Sequence, residues 1–214
     1  MDLRRSQVPD LVKTALKKDL SDGLWFGNIE VEELKDQGDQ GDYGGYRISF
    51  PFQIGDPPPE NKIKKLSRLH LDIGFGDEIE RPKKREKMIS VLEDDTPILW
   101  KVYPLEFIYS EKLQALIERG QTNSRAKDIF DMTIIFPKLP SHSKCWNAIQ
   151  KTFETRKTLL PKTFQEFVNS LSTSVLEVSW QSVHLISPGK SFLETWKVFK
   201  KQVELLDQSR PERL

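Results

Sequence analysis

The sequence contains a single cysteine, Cys145, among its 214 residues. An internal disulfide and a cysteine-based zinc site are therefore excluded, and this cysteine usage is typical of the reducing cytoplasm. The three histidines, His70, His142 and His184, are too far apart in the sequence to indicate a metal cluster. The sequence shows no apolar leader segment and no apolar run of membrane-spanning length. We therefore predict a cytoplasmic protein without a membrane partner.

An excess of charge of one sign is also absent. The 33 lysines and arginines are balanced by 32 aspartates and glutamates, which gives a formal net charge of +1. The chain as a whole has no general attraction for nucleic acids or membranes, so any basic patch must be local. The basic run at residues 81–87 is more typical of a solvated loop than of a contact with a phosphate backbone.

Two segments alternate between apolar and polar residues, which is the pattern of half-buried β-strands. In residues 46–54 every second residue is apolar, and Pro51 predicts an edge strand or a bulge. In residues 64–75 the carboxylate of Asp72 lies on the polar face, away from the face that carries Leu69. Shorter apolar segments predict further strands, within residues 24–34, 89–92 and 98–103.

Helical periodicity is concentrated in the second half of the chain. Pro104 suits the start of one helix, Gly120 its end, and Asn123 or Ser124 the cap of the next. Further helices are predicted over residues 8–20, 142–156, 161–179 and 190–207. The predicted fold class is α+β, with a small, mostly antiparallel sheet domain at residues 1–102 and a helical region at residues 103–214.

The two helices that flank Gly120 carry charges on their apolar faces. On a helical wheel Lys112 falls in the middle of the first apolar stripe. Arg125 and Asp128 fall inside the second stripe, and Asp131 lies on its flank. Buried charges are costly unless they are paired or used, so two interpretations stay open. In the structural interpretation the charges form ion pairs, or Lys112 reaches solvent along its aliphatic chain. In the functional interpretation the charges line a cleft that binds anions or metal.

Asp72 also has two interpretations. It lies near the C-terminal end of its predicted strand, just before Gly74, where sheets often present functional carboxylates. A lone aspartate at such a position is also typical of a solvated strand face.

Four segments carry a common resemblance. They are LHLDIGFGD, which contains Asp72; YPLEFIYSEKLQAL, which contains Lys112; NSRAKDIFDM, which contains Arg125, Asp128 and Asp131; and AIQKTFETRKTLLP, residues 148–161. In this order they resemble the AbiEii/AbiGii toxin family, nucleotidyltransferase-like proteins of bacterial abortive-infection and toxin–antitoxin systems. The resemblance covers most of the chain. It implies a nucleotidyltransferase-like sheet followed by a helical C-terminal region.

The resemblance also implies a chemistry, the Mg²⁺-dependent transfer of a nucleotide from an NTP to an acceptor such as tRNA, and a cognate antitoxin as partner. Nucleotidyl transfer needs metal-binding carboxylates and cations that hold the triphosphate. By resemblance Asp72 would bind metal, and Lys112 and Arg125 would contact phosphates. Asp128 would orient Lys112 or assist the acceptor, and Asp131 would support the nucleotide or the helix pair. The catalytic residues would thus be Asp72, Lys112 and Asp128.

The chain departs from the family pattern near its N-terminus. The Gly-Gly-Ser/Thr phosphate-binding turn has no counterpart, because Gly44 and Gly45 follow the expected position. Asp2 would be the second metal-binding carboxylate, and the first is missing. We therefore expect an N-terminally incomplete member with impaired activity. The alternative is a non-catalytic binding module that acts through an antitoxin or a nucleic acid.

Overall fold

The computed structural model describes residues 5–35, 44–75, 85–88 and 98–211. The chain forms two compact units, Met1–Asp77 and Glu78–Leu214. The boundary predicted between residues 102 and 103 stays a prediction. A small antiparallel sheet and many helices confirm the predicted α+β class.

The first unit contains a four-stranded antiparallel sheet. Strand β3 is its centre and pairs with β1, β2 and β4. Helix α1 follows a short 3-10 turn near the N-terminus and is shorter than predicted. The elements are α1 (Val8–Leu16), β1 (Leu24–Phe26), β2 (Glu30–Lys35), β3 (Gly44–Ile54), α2 (Glu60–Ile63) and β4 (Arg68–Phe75).

The alternation predicted for β3 is present around its middle, where Ile48 and Phe50 are buried and Arg47 is exposed. Of the two alternatives predicted from Pro51, the edge strand is wrong, because β3 is the central strand, whereas a bulge agrees with the extra residue opposite this point. Pro51 is tolerated there because the pairing of β3 with β1 and β2 is interrupted, although its pairing with β4 continues. Residues 27–29 lie opposite only two residues of β3, and the carbonyl of Pro51 accepts a hydrogen bond from Gly27.

The second unit begins with a β-hairpin and continues as helices. The predicted strand near residues 89–92 lies outside the described residues, as do residues 81–84 of the basic run. The rest of that run, residues 85–87, belongs to a strand and not to the predicted loop. The elements are β5 (Arg85–Met88), β6 (Ile98–Lys101), α3 (Leu105–Arg119), α4 (Ala126–Ile135), α5 (His142–Thr155), α6 (Phe164–Ser170), α7 (Ser174–Ser179), α8 (Gln181–His184) and α9 (Phe192–Gln208).

The helix predicted over residues 161–179 is broken into α6 and α7. The side chain of Gln121 accounts for the break, because it satisfies two backbone groups that a continuous helix would use internally. It donates to the carbonyl of Ser170 and accepts from the amide of Ser172. The serines and threonine around the break also favour a helix end, since their hydroxyls compete for backbone groups.

The core of the second unit is large and rich in aromatic residues. Its fully buried members include Tyr109, Leu113, Ile129, Met132, Trp146, Ile149, Phe153, Phe164 and Phe199. On α3 the buried face differs in part from the apolar stripe that helical periodicity predicts, which consists of Leu105, Ile108, Tyr109, Ala115 and Leu116. Leu105 and Ile108 are half-buried, whereas Phe107 and Leu113 are buried. The reason is that α5 packs on a face of α3 that includes the polar residues Ser110 and Gln114.

The α3–α5 interface generates a prediction about folding stability. The hydroxyls of Ser110 and Thr152 are buried and lie 2.9 Å apart. We expect Ser110→Ala to lower the free energy of unfolding by about 1–2 kcal/mol, because the Thr152 hydroxyl loses its partner. Adding Thr152→Val removes that unsatisfied group, so the double variant should lose less than the sum of the single losses. Urea denaturation measures all three variants, and strictly additive losses would contradict this account.

Candidate functional site

Helices α3 and α4 are joined by a short, well-specified turn. Gly120 ends α3 with φ +49° and ψ −125°, a backbone conformation that favours glycine. The buried side chain of Asn123 then accepts a hydrogen bond of 2.7 Å from the amide of Arg125. Helix α4 starts at Ala126, so the predicted cap at Asn123 or Ser124 is wrong in position. Asn123 instead holds the turn that leads into α4.

The centre of the site is Lys112 on α3. Its Nζ donates to Oδ1 of Asp128 at 2.6 Å and to Oδ2 of Asp131 at 2.9 Å, both on α4. The three side chains are 16–21% exposed, so they are screened from solvent only in part. The ammonium therefore ties α3 to the first two turns of α4. Asp128 and Asp131 are three residues apart and lie on the same face of that helix.

Two further cations lie at the rim of this cluster. Arg125 Nη1 is 3.5 Å from Oδ2 of Asp128, and Lys127 Nζ is 2.7 Å from Oδ2 of Asp131. Both cations are more than half exposed. The cluster thus contains three cations and two carboxylates. Its rim is positive and faces solvent, which suits an anionic ligand better than a cationic one.

The pKa values reflect this pairing. Burial disfavours the charged form of Lys112, but the hydrogen bonds that its ammonium donates to Asp128 and Asp131 outweigh this effect and raise the pKa of Lys112. Burial likewise acts to raise the pKa of Asp131, but the hydrogen bonds from Lys127 and Lys112 outweigh it and lower that pKa. Lys112 and Asp131 are therefore both charged near neutral pH.

Asp72 belongs to the first unit and lies on the exposed, polar face of β4. The strand register places it directly opposite Arg47 on β3. Its two carboxylate oxygens accept hydrogen bonds from Nε and Nη2 of Arg47, each 2.8 Å long. The hydrogen bond from Arg47 lowers the pKa of Asp72. Asp72 is thus a carboxylate that already has a bidentate cationic partner.

The residues described here do not by themselves fit a Mg²⁺ ion. Of the predicted metal ligands, Asp2 lies outside the described residues and Asp72 is bonded through both oxygens to Arg47. No group of three potential metal-binding side chains occurs within the described part of the chain. Mg²⁺ prefers several oxygen ligands in octahedral geometry, which one arginine-bound carboxylate does not supply.

The structure therefore brings together Lys112, Arg125, Asp128 and Asp131, and it places Asp72 in the other compact unit. Sequence reasoning missed Lys127 and Arg47. The spacing of Lys127 and Asp131, four residues apart on one helix, could have identified their contact. Arg47 could not be identified in this way, because its pairing with Asp72 depends on the strand register.

A second polar network, also unforeseen, occupies another side of α3. Arg156 follows α5 and is 3.4 Å from a carboxylate oxygen of Glu111. Its Nη1 also donates to Oε1 of Gln114 at 3.0 Å. Tyr103 donates a short hydrogen bond to Glu111. This network joins α3 to the end of α5 and supports the position of Lys112 on α3.

Comparison with protein families gives a match that spans nearly the whole chain. The family described as nucleotidyl transferase AbiEii toxin, type IV TA system, matches residues 2–208, nearly the whole chain. No curated protein sequence matches significantly. No helix in the described ranges combines the length and apolar character that crossing a membrane requires.

The ion pairs of Lys112 generate a prediction about stability. Lys112→Met leaves Asp128 and Asp131 without their shared cation in a half-buried position. We expect the free energy of unfolding at neutral pH to fall by roughly 1–3 kcal/mol, between the values typical of exposed and of buried pairs. Lys127→Met is the matched control; because Lys127 is 52% exposed, its loss should cost less than about 1 kcal/mol. Chemical denaturation of both variants measures the difference.

The same comparison has an expected pH dependence. Because the pKa of Asp131 is lowered in the folded state, its contribution is present above the ordinary carboxyl range and is lost as the pH falls through the folded value. Because the pKa of Lys112 is raised, its contribution is lost only as the pH rises above the ordinary lysine range. The cost of Lys112→Met should therefore be constant between about pH 6 and 9 and shrink below about pH 4. A cost that does not change in acid would contradict the ion-pair account.

Proposed function

Because the chain belongs to the AbiEii family of nucleotidyltransferase-like toxins of type IV toxin–antitoxin systems, we propose that it transfers a nucleotide from an NTP to an acceptor hydroxyl. The acceptor we propose is tRNA, and the regulatory partner is a cognate antitoxin protein. We place the protein in the bacterial cytoplasm, with a role in abortive infection.

The observation that carries this proposal is the position of Lys112. Its ammonium lies between two carboxylates of α4, in two of the four segments that carry the family resemblance. Asp128 uses one oxygen to hold Lys112 and presents the other to Arg125. The two cations are thereby fixed around one carboxylate, close to solvent. Phosphate oxygens are good acceptors for such a pair, since arginine and lysine provide charged donors.

Each residue of the cluster then has a proposed role. Lys112 and Arg125 contact the phosphates of the nucleotide, and Asp128 orients Lys112. Asp131 holds Lys112 from its second side and neutralises part of its charge. Preorganised cations of this kind stabilise charge that develops on phosphate oxygens during transfer.

Mg²⁺ dependence is part of the proposal, because nucleotidyltransferase families generally use a divalent metal. Asp72 and Asp2 stay the predicted ligands. To bind a metal ion, the carboxylate of Asp72 would have to give up its two hydrogen bonds from Arg47. We assign no step of the reaction to this site. The sequence also has no counterpart of the phosphate-binding turn. We therefore expect the 214 residues, tested alone, to transfer nucleotides weakly.

A second function is favoured by a different observation. The described charges predicted to be catalytic are already paired within the protein, Asp72 with Arg47 and Lys112 with two aspartates. A chain whose charges are satisfied internally could act as a binding module for an antitoxin or a nucleic acid, without catalysis.

Calorimetric titration with each NTP, with and without Mg²⁺, separates the two functions, followed by transfer of labelled nucleotide to bulk tRNA. We expect Mg²⁺-dependent binding of at least one NTP. Because Lys112 and Arg125 contact phosphates, Lys112→Ala and Arg125→Ala should each reduce transfer by about 100-fold, the usual effect of removing one charge-stabilising donor. Lys138→Ala, which removes an exposed lysine just after α4, is the control and should retain activity.

The variants must first be shown to be folded by circular dichroism, since Lys112 also contributes to stability. If the wild-type chain binds none of the NTPs, the catalytic proposal is overturned and the binding module is favoured. Equal activity of the Lys112 and Lys138 variants would contradict the assigned site.

A further inference from the structure

A basic cleft lies within the first compact unit, apart from every residue given a role above. It has a volume of about 450 Å³ and is bordered by α1, the turn between β1 and β2, and the segment from α2 to β4. Four cationic side chains line it: Lys13, Lys17, Lys64 and Arg68. Its one lining carboxylate belongs to Glu30, which is 2.8 Å from Arg68.

The charge of this cleft is a local concentration, because the net charge of the whole chain is only +1. Lys13, Lys17 and Lys64 are exposed, and none of them forms an ion pair with another residue in the described ranges. Three unpaired ammonium groups that line one concavity repel each other. A polyanion that enters the cleft relieves this repulsion and releases its own counterions.

The wall of the cleft is aromatic. Trp25 and Phe26 both line it, and Trp25 is only partly buried. A Cβ atom added at Gly27 would lie 2.9 Å from the ring of Trp25 and 2.6 Å from Cγ of Pro51. The absence of a side chain at Gly27 thus leaves the room that the indole and the proline ring occupy. Aromatic rings beside a row of cations are the general means by which proteins hold single-stranded nucleic acids.

The size and position of the cleft agree with such a ligand. Its volume falls within the range of sites for small molecules, which is enough for one or two nucleotides. Arg68 and Asp72 are both on β4, four residues apart, so their side chains leave the same face of the strand. At about 3.3 Å per residue the two positions are roughly 13 Å apart. A single-stranded nucleic acid whose phosphate is bound by Arg68 can therefore extend along β4 toward Asp72.

We propose that this cleft binds single-stranded RNA, with phosphates on Lys13, Lys17, Lys64 and Arg68 and a base against Trp25. Where the bound RNA is the acceptor of nucleotidyl transfer, the inference deepens the proposed function and rests on it. RNA binding itself does not depend on transfer.

The test is fluorescence anisotropy of a labelled single-stranded RNA of roughly 10 nucleotides, within the usual range of site sizes, without NTP or Mg²⁺. The test variant is Lys13→Gln with Lys17→Gln. The control is Lys197→Gln with Lys201→Gln, an exposed lysine pair with the same spacing on α9. We expect the test variant to bind at least 10-fold more weakly than the control. For the test variant, the slope of log Kd against log salt concentration should be smaller by about 1.4, the value for two lost phosphate contacts with a single strand.

Trp25→Leu provides an independent check on the base contact. It should weaken RNA binding by about 10-fold, because the indole that stacks on one base is removed. It should leave the binding of inorganic polyphosphate unchanged, because that ligand has no bases. Circular dichroism verifies that each variant is folded.

Equal affinities and salt slopes for the test and control pairs would overturn the proposal. It would also be overturned by a poly-glutamate peptide that competes as well as RNA of equal charge, since that result indicates a site for acidic peptides. RNA binding that is lost in the test pair while nucleotide transfer is absent would confirm the cleft and refute only its role in accepting nucleotides.

Discussion

A half-buried ammonium group needs anionic partners, and this constraint organises the helical unit. Lys112 meets it with two carboxylates that the spacing of α4 places on one face. The turn between the two helices is set by Gly120 and Asn123, so the partners are held where the ammonium needs them. The same pairing leaves Arg125 and Lys127 at the solvent side. The cluster therefore has a neutralised centre and a positive rim, the arrangement on which the proposed phosphate contacts depend.

The two compact units contribute different kinds of surface. The helical unit has a thick aromatic core that fixes α3, α4 and α5, so its charged cluster is rigidly supported. The sheet unit has a thinner core, in which Ile48, Phe50 and Pro51 are its buried apolar side chains among the described residues. Its polar face instead carries cross-strand pairs such as Arg47 with Asp72. A pair of this kind is exposed and exchangeable, because solvent-exposed ion pairs contribute little to stability.

Sequence patterns predicted the features that depend on local periodicity. The alternation around Ile48 identified β3, and charges out of place on two helical stripes identified Lys112, Asp128 and Asp131. The features that escaped prediction depend on tertiary pairing. The central position of β3 was not predicted, because Pro51 is compatible with an edge strand or a bulge, and only the strand pairing shows the interruption opposite Pro51. The buried face of α3 was predicted only in part, because its polar residues Ser110 and Gln114 find partners after folding.

The central claim is that the cluster around Lys112 receives the phosphates of a nucleotide. The most direct measurement is nuclear magnetic resonance of the lysine and arginine side chains during titration with a non-hydrolysable NTP. The account predicts saturable shifts of the Lys112 and Arg125 signals, with Lys138 unaffected as an exposed reference. Saturable binding of the nucleotide that leaves Lys112 and Arg125 unperturbed would contradict it.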